Sequence, residues 1–78
     1  MSYCILAIDD DQGIHRFIDD VLRPEGFEVL HAANGLEGLT TAMSTPVDLI
    51  VLDINMPVMD GFKTLRALRS RAKTRDLP

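Results

Sequence analysis

Val47-Asp48-Leu49-Ile50-Val51-Leu52-Asp53 decides the fold. Leu49 to Leu52 run without any polar–apolar alternation, and a short uninterrupted apolar run of this kind needs cover on both faces, as the inner strands of a parallel sheet do. Pro46 breaks the chain just before it, because proline neither continues a helix nor donates to a ladder. The segment therefore predicts a central, doubly covered strand that ends on the carboxylate of Asp53. Upstream, Tyr3 to Ile8 is another short apolar run, and it too ends on acids: Asp9, Asp10 and Asp11. Phe27 to His31 is a third extended stretch, preceded by the helix-stopping Pro24 and Gly26.

Between the strands the period changes. From Gln12 onward, Ile14, Phe17, Ile18, Val21 and Leu22 recur at helical spacing and predict a helix with one buried face. Asn34-Gly35 opens a second helix with Leu36, Leu39 and Met43 on one side, in which Gly38 is the weak point. Met56-Pro57 forces an extended turn, Asp60-Gly61 restarts the chain, and Phe62, Leu65 and Leu68 form a third stripe that ends among basic residues. The order strand, helix, three times over, predicts an α/β fold. Strands joined by single helices run parallel with right-handed crossovers, which aligns their carboxyl ends on one edge. Ligands of such open sheets bind outside that edge.

That edge is acidic. Asp9, Asp10 and Asp11 close the first strand and Asp53 closes the third, so four carboxylates converge. Crowded like charges call for a countercharge, and a donor set made only of oxygens suits Mg²⁺, which takes one or two carboxylates and leaves positions for phosphate oxygens. Asp53, at the end of a rigid strand, is the candidate nucleophile, since attack needs an oxygen held in line with phosphorus. Asp11 and Asp60, each just before a helix, are read as N-caps. His15 is read as a helix-surface residue and His31 as a strand-end one, because neither has a partner at ligand spacing. Cys4 and the methionines Met43, Met56 and Met59 are assigned to packing.

Composition narrows the class further. The chain has 78 residues, 46% hydrophobic and 26% charged, with a net charge of −4, which fits one small domain with a modest core. The single cysteine excludes an internal disulfide, and no apolar run approaches the ~20 residues of a membrane span; the expectation is a soluble cytoplasmic protein with no membrane partner. Residues 1–62 hold eleven acids against Arg16 and Arg23, whereas Lys63, Arg66, Arg69, Arg71, Lys73 and Arg75 crowd the remainder. Cations at a helix C-terminus suit the dipole there, so this end is read as a solvated helix face and no nucleic-acid partner is expected.

With these residues in place, the chain is similar to the receiver domain of bacterial two-component response regulators. The resemblance rests on Ile5-Leu6-Ala7-Ile8-Asp9-Asp10-Asp11, on Ala33-Asn34-Gly35-Leu36-Glu37-Gly38-Leu39, and above all on the stretch from Asp48 through Asp53-Ile54-Asn55-Met56-Pro57 to Asp60-Gly61. It implies a flavodoxin-like fold with strand order 2-1-3, phosphorylation of Asp53 by a sensor histidine kinase or phosphotransfer protein, and Mg²⁺ held by Asp9, Asp10, Asp53 and the backbone carbonyl of Asn55. Such a module is a phosphoacceptor rather than an enzyme.

By the same resemblance, Asp76-Leu77-Pro78 corresponds to the approach to a fourth strand. Residues 1–78 then match the N-terminal part of a receiver domain, three of its five strand–helix units. The hydroxyl residue and the lysine that end the family's fourth and fifth strands have no counterpart here. In that arrangement the third strand lies at an exposed edge, from which a homo-oligomer is expected. Two other classes compete: a truncated interaction fragment that does not switch, and a phosphohydrolase of the haloacid dehalogenase type, whose DxD motif Asp9 and Asp11 mimic.

Overall fold

A computed structural model describes residues 2–53 and 60–78. Met56-Pro57 and Met59, read above as a turn and as packing residues, lie outside the described residues, as does Asn55. The chain forms β1 (Cys4–Ile8), α1 (Gln12–Leu22), β2 (Glu28–Ala32), α2 (Gly35–Ser44), β3 (Leu49–Leu52) and α3 (Gly61–Arg69). All strand pairs are parallel, in the order β2-β1-β3. Strand order and fold class are those expected.

Register fixes which side chains share a face. Ile5 lies between Val29 and Leu49, and Ala7 between His31 and Val51. The opposite face carries Cys4, Leu6 and Ile8, which form the core with Ala32, Leu39 and Ala42 of α2, Val47 and Leu68 of α3. Leu6 and Ile8 are fully buried, each contributing about 2 kcal/mol by leaving water. At the amino edge of the sheet the Cys4 N–H donates to Asp48 Oδ2 at 2.7 Å, tying β1 to the start of β3. Burial, with Glu28 and Asp48 nearby, pushes the Cys4 thiol up from its ordinary pKa, which keeps it an unreactive packing group.

Caps set the helix starts as residue type dictates. Asp11 accepts from the Gly13 N–H, Asn34 from the Glu37 N–H and Asp60 from the Lys63 N–H, each satisfying a donor the helix itself leaves free. After α1 a single 3-10 turn, Arg23–Glu25, ends at Gly26 with φ of 91°, a left-handed conformation that glycine adopts without strain.

Several packing expectations need correction. In α1 the apolar stripe is not buried: Phe17 is 65% exposed and Ile14 and Val21 are exposed too, while the buried residue is His15. Helix α1 packs mainly over β2, and Leu49 and Val51 on β3 are also exposed. In the order β2-β1-β3 this strand lies at the edge of the three-stranded sheet, and it is not the doubly covered strand expected. Met43 and Phe62 are exposed; the buried residues of α2 are Gly35, Gly38, Leu39 and Ala42, and those of α3 are Gly61, Thr64 and Leu68. The helices are rotated from the faces their largest apolar residues suggest, because a stripe reports a preference and the neighbouring element decides which part of it is covered.

The β3 edge is also less open than expected. The Ile50 N–H donates to the Pro78 carbonyl at 3.0 Å, and Leu77 packs against the core. Arg69 holds this terminal turn through Nη1, which donates to the carbonyls of Arg75 and Leu77, and the Thr74 hydroxyl donates to the Leu68 carbonyl at 2.6 Å. Arg71 and Lys73 likewise donate to the carbonyls of Ala67 and Met43. Much of the basic end is therefore engaged with the chain's own backbone.

Candidate functional site: an acidic sheet edge

Backbone hydrogen bonds deliver two of the acids to the carboxyl edge. The Asp9 N–H donates to the Ala32 carbonyl and the Asp53 N–H to the Ile8 carbonyl, both at 3.0 Å, so each residue is registered by the strand beside it. Asp10 follows at an exposed bend. One carboxylate oxygen from each of Asp9, Asp10 and Asp53 lies within 4.8 Å of the others. Unit charges about 4 Å apart repel by roughly 1 kcal/mol in bulk water and about 4 kcal/mol near a protein surface, more than an exposed ion pair returns. A small divalent cation reverses that balance, and the three oxygen donors fit Mg²⁺ by hardness and number.

Asp11, the fourth acid of the sequence reading, is not in the cluster. Its Oδ1 caps α1 at 2.8 Å from the Gly13 nitrogen, and its own N–H donates to Asp9 Oδ1 at 2.9 Å. The DxD reading, which needs Asp9 and Asp11 to act together, loses its second carboxylate to the cap. Asp9 thus serves the cluster and the turn with one side chain.

Sequence spacing separated the two histidines, but the fold joins them. His15, 6% exposed, meets His31 through their Nδ1 atoms, with perpendicular rings whose centroids lie 4.4 Å apart. His15 Nε2 donates to the Asp9 carbonyl at 2.7 Å, and His31 Nε2 donates to Asp19 Oδ1 at 2.8 Å. The hydrogen bond from His31, joined by that from Arg23, holds the Asp19 carboxyl below its ordinary pKa. The reading of His15 as a surface residue is corrected: it sits under the acidic edge. A polar residue beside the apolar stripe of α1 was the only signal in the sequence, and it named no partner.

Comparison with known proteins agrees with the fold. The response regulator receiver domain family matches residues 5–78. The chain is 46% identical over 74 residues to the transcriptional regulatory protein PrrA of Mycobacterium leprae, covering 95% of this chain and 31% of that protein. The chemotaxis response regulator CheY4 of Vibrio cholerae superposes with a TM-score of 0.95 at 36% identity, over 100% of this chain and 65% of that one. The receiver domain of sensor histidine kinase PA1611 from Pseudomonas aeruginosa, solved with a magnesium ion in its active site cleft, superposes at 0.94 with 28% identity, over 100% of this chain and 64% of that one. The chain thus spans about a third of the length of PrrA, and a little under two thirds of the two solved domains.

Proposed function

The chain belongs to the response regulator receiver domain family, and on that premise we propose that residues 1–78, as the N-terminal part of such a domain, accept a phosphoryl group on Asp53 from the phosphohistidine of a sensor histidine kinase or phosphotransfer protein. The observation that carries this reading is the convergence of Asp9, Asp10 and Asp53 within 4.8 Å at the carboxyl edge. A carboxylate oxygen of Asp53 forms the bond to phosphorus as the phosphorus–nitrogen bond breaks, and the electron pair of that bond stays with the donor imidazole. The hydrogen bond that fixes the Asp53 N–H to β1 supports this reading, since attack needs an oxygen on a rigid support. Asp9, Asp10 and Asp53, with the Asn55 carbonyl, would hold Mg²⁺. When bound, the ion supplies positive charge that offsets the carboxylates and the phosphoryl oxygens. The chain is itself the acceptor, a signalling module and not an enzyme that turns over a separate substrate. Its location in this reading is the bacterial cytoplasm; no helix among the described residues is long and apolar enough to cross a membrane.

Incubation with acetyl phosphate and Mg²⁺, followed by intact mass measurement, tests the reading. The expected product gains one phosphoryl group per chain, and a chelator or Asp53→Asn removes the gain. An unmodified chain under those conditions, or modification that survives Asp53→Asn, refutes it.

A second reading concerns self-association. Leu49 and Val51 on β3, with Ile14, Phe17 and Val21 on α1, expose an apolar surface on one side of the sheet, and such surfaces mark interaction sites. A homo-oligomer through this side, and through the part of the β3 edge beyond the Ile50–Pro78 hydrogen bond, is expected for the 78-residue chain. Sedimentation velocity should show a concentration-dependent dimer or larger species, shifted toward monomer by Val51→Lys. A folded monomer at all concentrations contradicts this reading and leaves phosphoryl acceptance untouched.

A further inference from the structure

The two histidines form a continuous chain of hydrogen bonds that ends at the acidic edge. It runs from Asp19, anchored by Arg23 at 2.9 Å, through His31 and His15 to the backbone carbonyl of Asp9. A carbonyl and a carboxylate only accept, so both outer Nε2 atoms donate, and the Nδ1 atoms of the two rings face each other between them. Every ring nitrogen is thereby committed, which fixes the orientation of both imidazoles. No buried side-chain polar atom among the described residues lacks a partner.

The terminal bond matters because of what the Asp9 carbonyl controls. Its peptide plane also contains the Asp10 nitrogen, so fixing the carbonyl sets the direction in which the chain leaves Asp9 and presents Asp10. Asp10 sits at an exposed bend, between one residue tied to β2 and another that caps α1. We propose that His15 is a positioning residue for the acidic edge, that it holds the Asp9–Asp10 peptide in the orientation that brings the carboxylates together, and that His31 and Asp19 hold His15 for that task. The inference rests on the cation-binding reading of the edge. It assigns a role to side chains in α1 and β2 that contribute no ligand atom, as partners that orient ligating groups do in metal sites generally.

Electron paramagnetic resonance of Mn²⁺, displaced by Mg²⁺ to give the Mg²⁺ affinity, tests the inference on the full chain. The wild type should bind, and Asp10→Asn should not. His15→Leu should lower Mg²⁺ affinity by about tenfold while circular dichroism shows a retained fold. His15→Gln, whose amide N–H reaches toward the place of Nε2–H, should restore most of that affinity. His31→Leu, which leaves His15 in place but unanchored, should give an intermediate loss and provides the measurement if His15→Leu fails to fold. In each variant that weakens binding, the Asp10 amide resonance should move in the cation-free spectrum and return toward the wild-type position in His15→Gln. Wild-type affinity in both His15→Leu and His31→Leu overturns the positioning role alone. Absence of binding by the wild type overturns the cation reading and this inference with it.

Discussion

Gly38→Val is expected to destabilise the protein severely, and Gly38→Ala to destabilise it measurably. A Cβ at position 38 would lie 2.4 Å from Ile8 Cδ1, 2.7 Å from Cγ1 and 3.1 Å from Cγ2. Ile8 is fully buried at the centre of the sheet, and its branched side chain has few rotamers to retreat into. Alanine would gain about 1 kcal/mol of helix propensity over glycine, but overpacking of this kind costs typically 1–3 kcal/mol, so the net change is a loss. Valine adds two more carbons at the same contact and lacks the propensity gain; a loss of about 3 kcal/mol or more is expected, a large share of the stability of so small a domain. Urea denaturation followed by circular dichroism measures both. Ile8→Val removes the atom nearest the new Cβ, so Gly38→Ala combined with Ile8→Val should be more stable than the sum of the single changes requires. Additive losses would show that the helix–strand contact is not the cause.

Asp10→Asn is expected to abolish the stabilisation of the chain by Mg²⁺ and, without the ion, to leave stability unchanged or raised. A ligand that binds only the folded state stabilises by about 2.7 kcal/mol at a hundredfold excess over its Kd. The wild type should therefore show a midpoint that rises with Mg²⁺ concentration. Asp10 is the cleanest of the three acids to change, because Asp9 also accepts the Asp11 N–H and Asp53 carries the proposed chemistry. Removing one charge from three within 4.8 Å relieves repulsion, so the variant exchanges ion binding for intrinsic stability. Equal Mg²⁺ dependence in the two proteins would place the ion elsewhere.

The parts of this architecture that were legible beforehand share a physical property: they are encoded in adjacent residues. Leu49 to Leu52 announce a strand without alternation, Asp11, Asn34 and Asp60 announce helix starts, and parallel topology then obliges Asp9, Asp10 and Asp53 to meet. Contacts between elements were less legible. The stripe of Ile14, Phe17 and Val21 correctly identified a helix but not which face its neighbours cover, since that depends on where α1 sits across the sheet. Gly38 looked like a weakness in α2 until the position of Ile8 showed a close approach that only glycine permits without displacement. His15 and His31 are sixteen residues apart, on a helix and a strand, so no local spacing brings them together; only the packing of α1 on β2 does.

Locating the modified residue tests the central claim most directly. After acetyl phosphate treatment in Mg²⁺, reduction with borohydride converts an aspartyl phosphate to homoserine, and peptide mass mapping then reads the position. Homoserine at residue 53, absent without Mg²⁺, is the predicted result. Homoserine at Asp9, Asp10 or any other acid, or none at residue 53 in a folded, Mg²⁺-bound chain, would contradict the account.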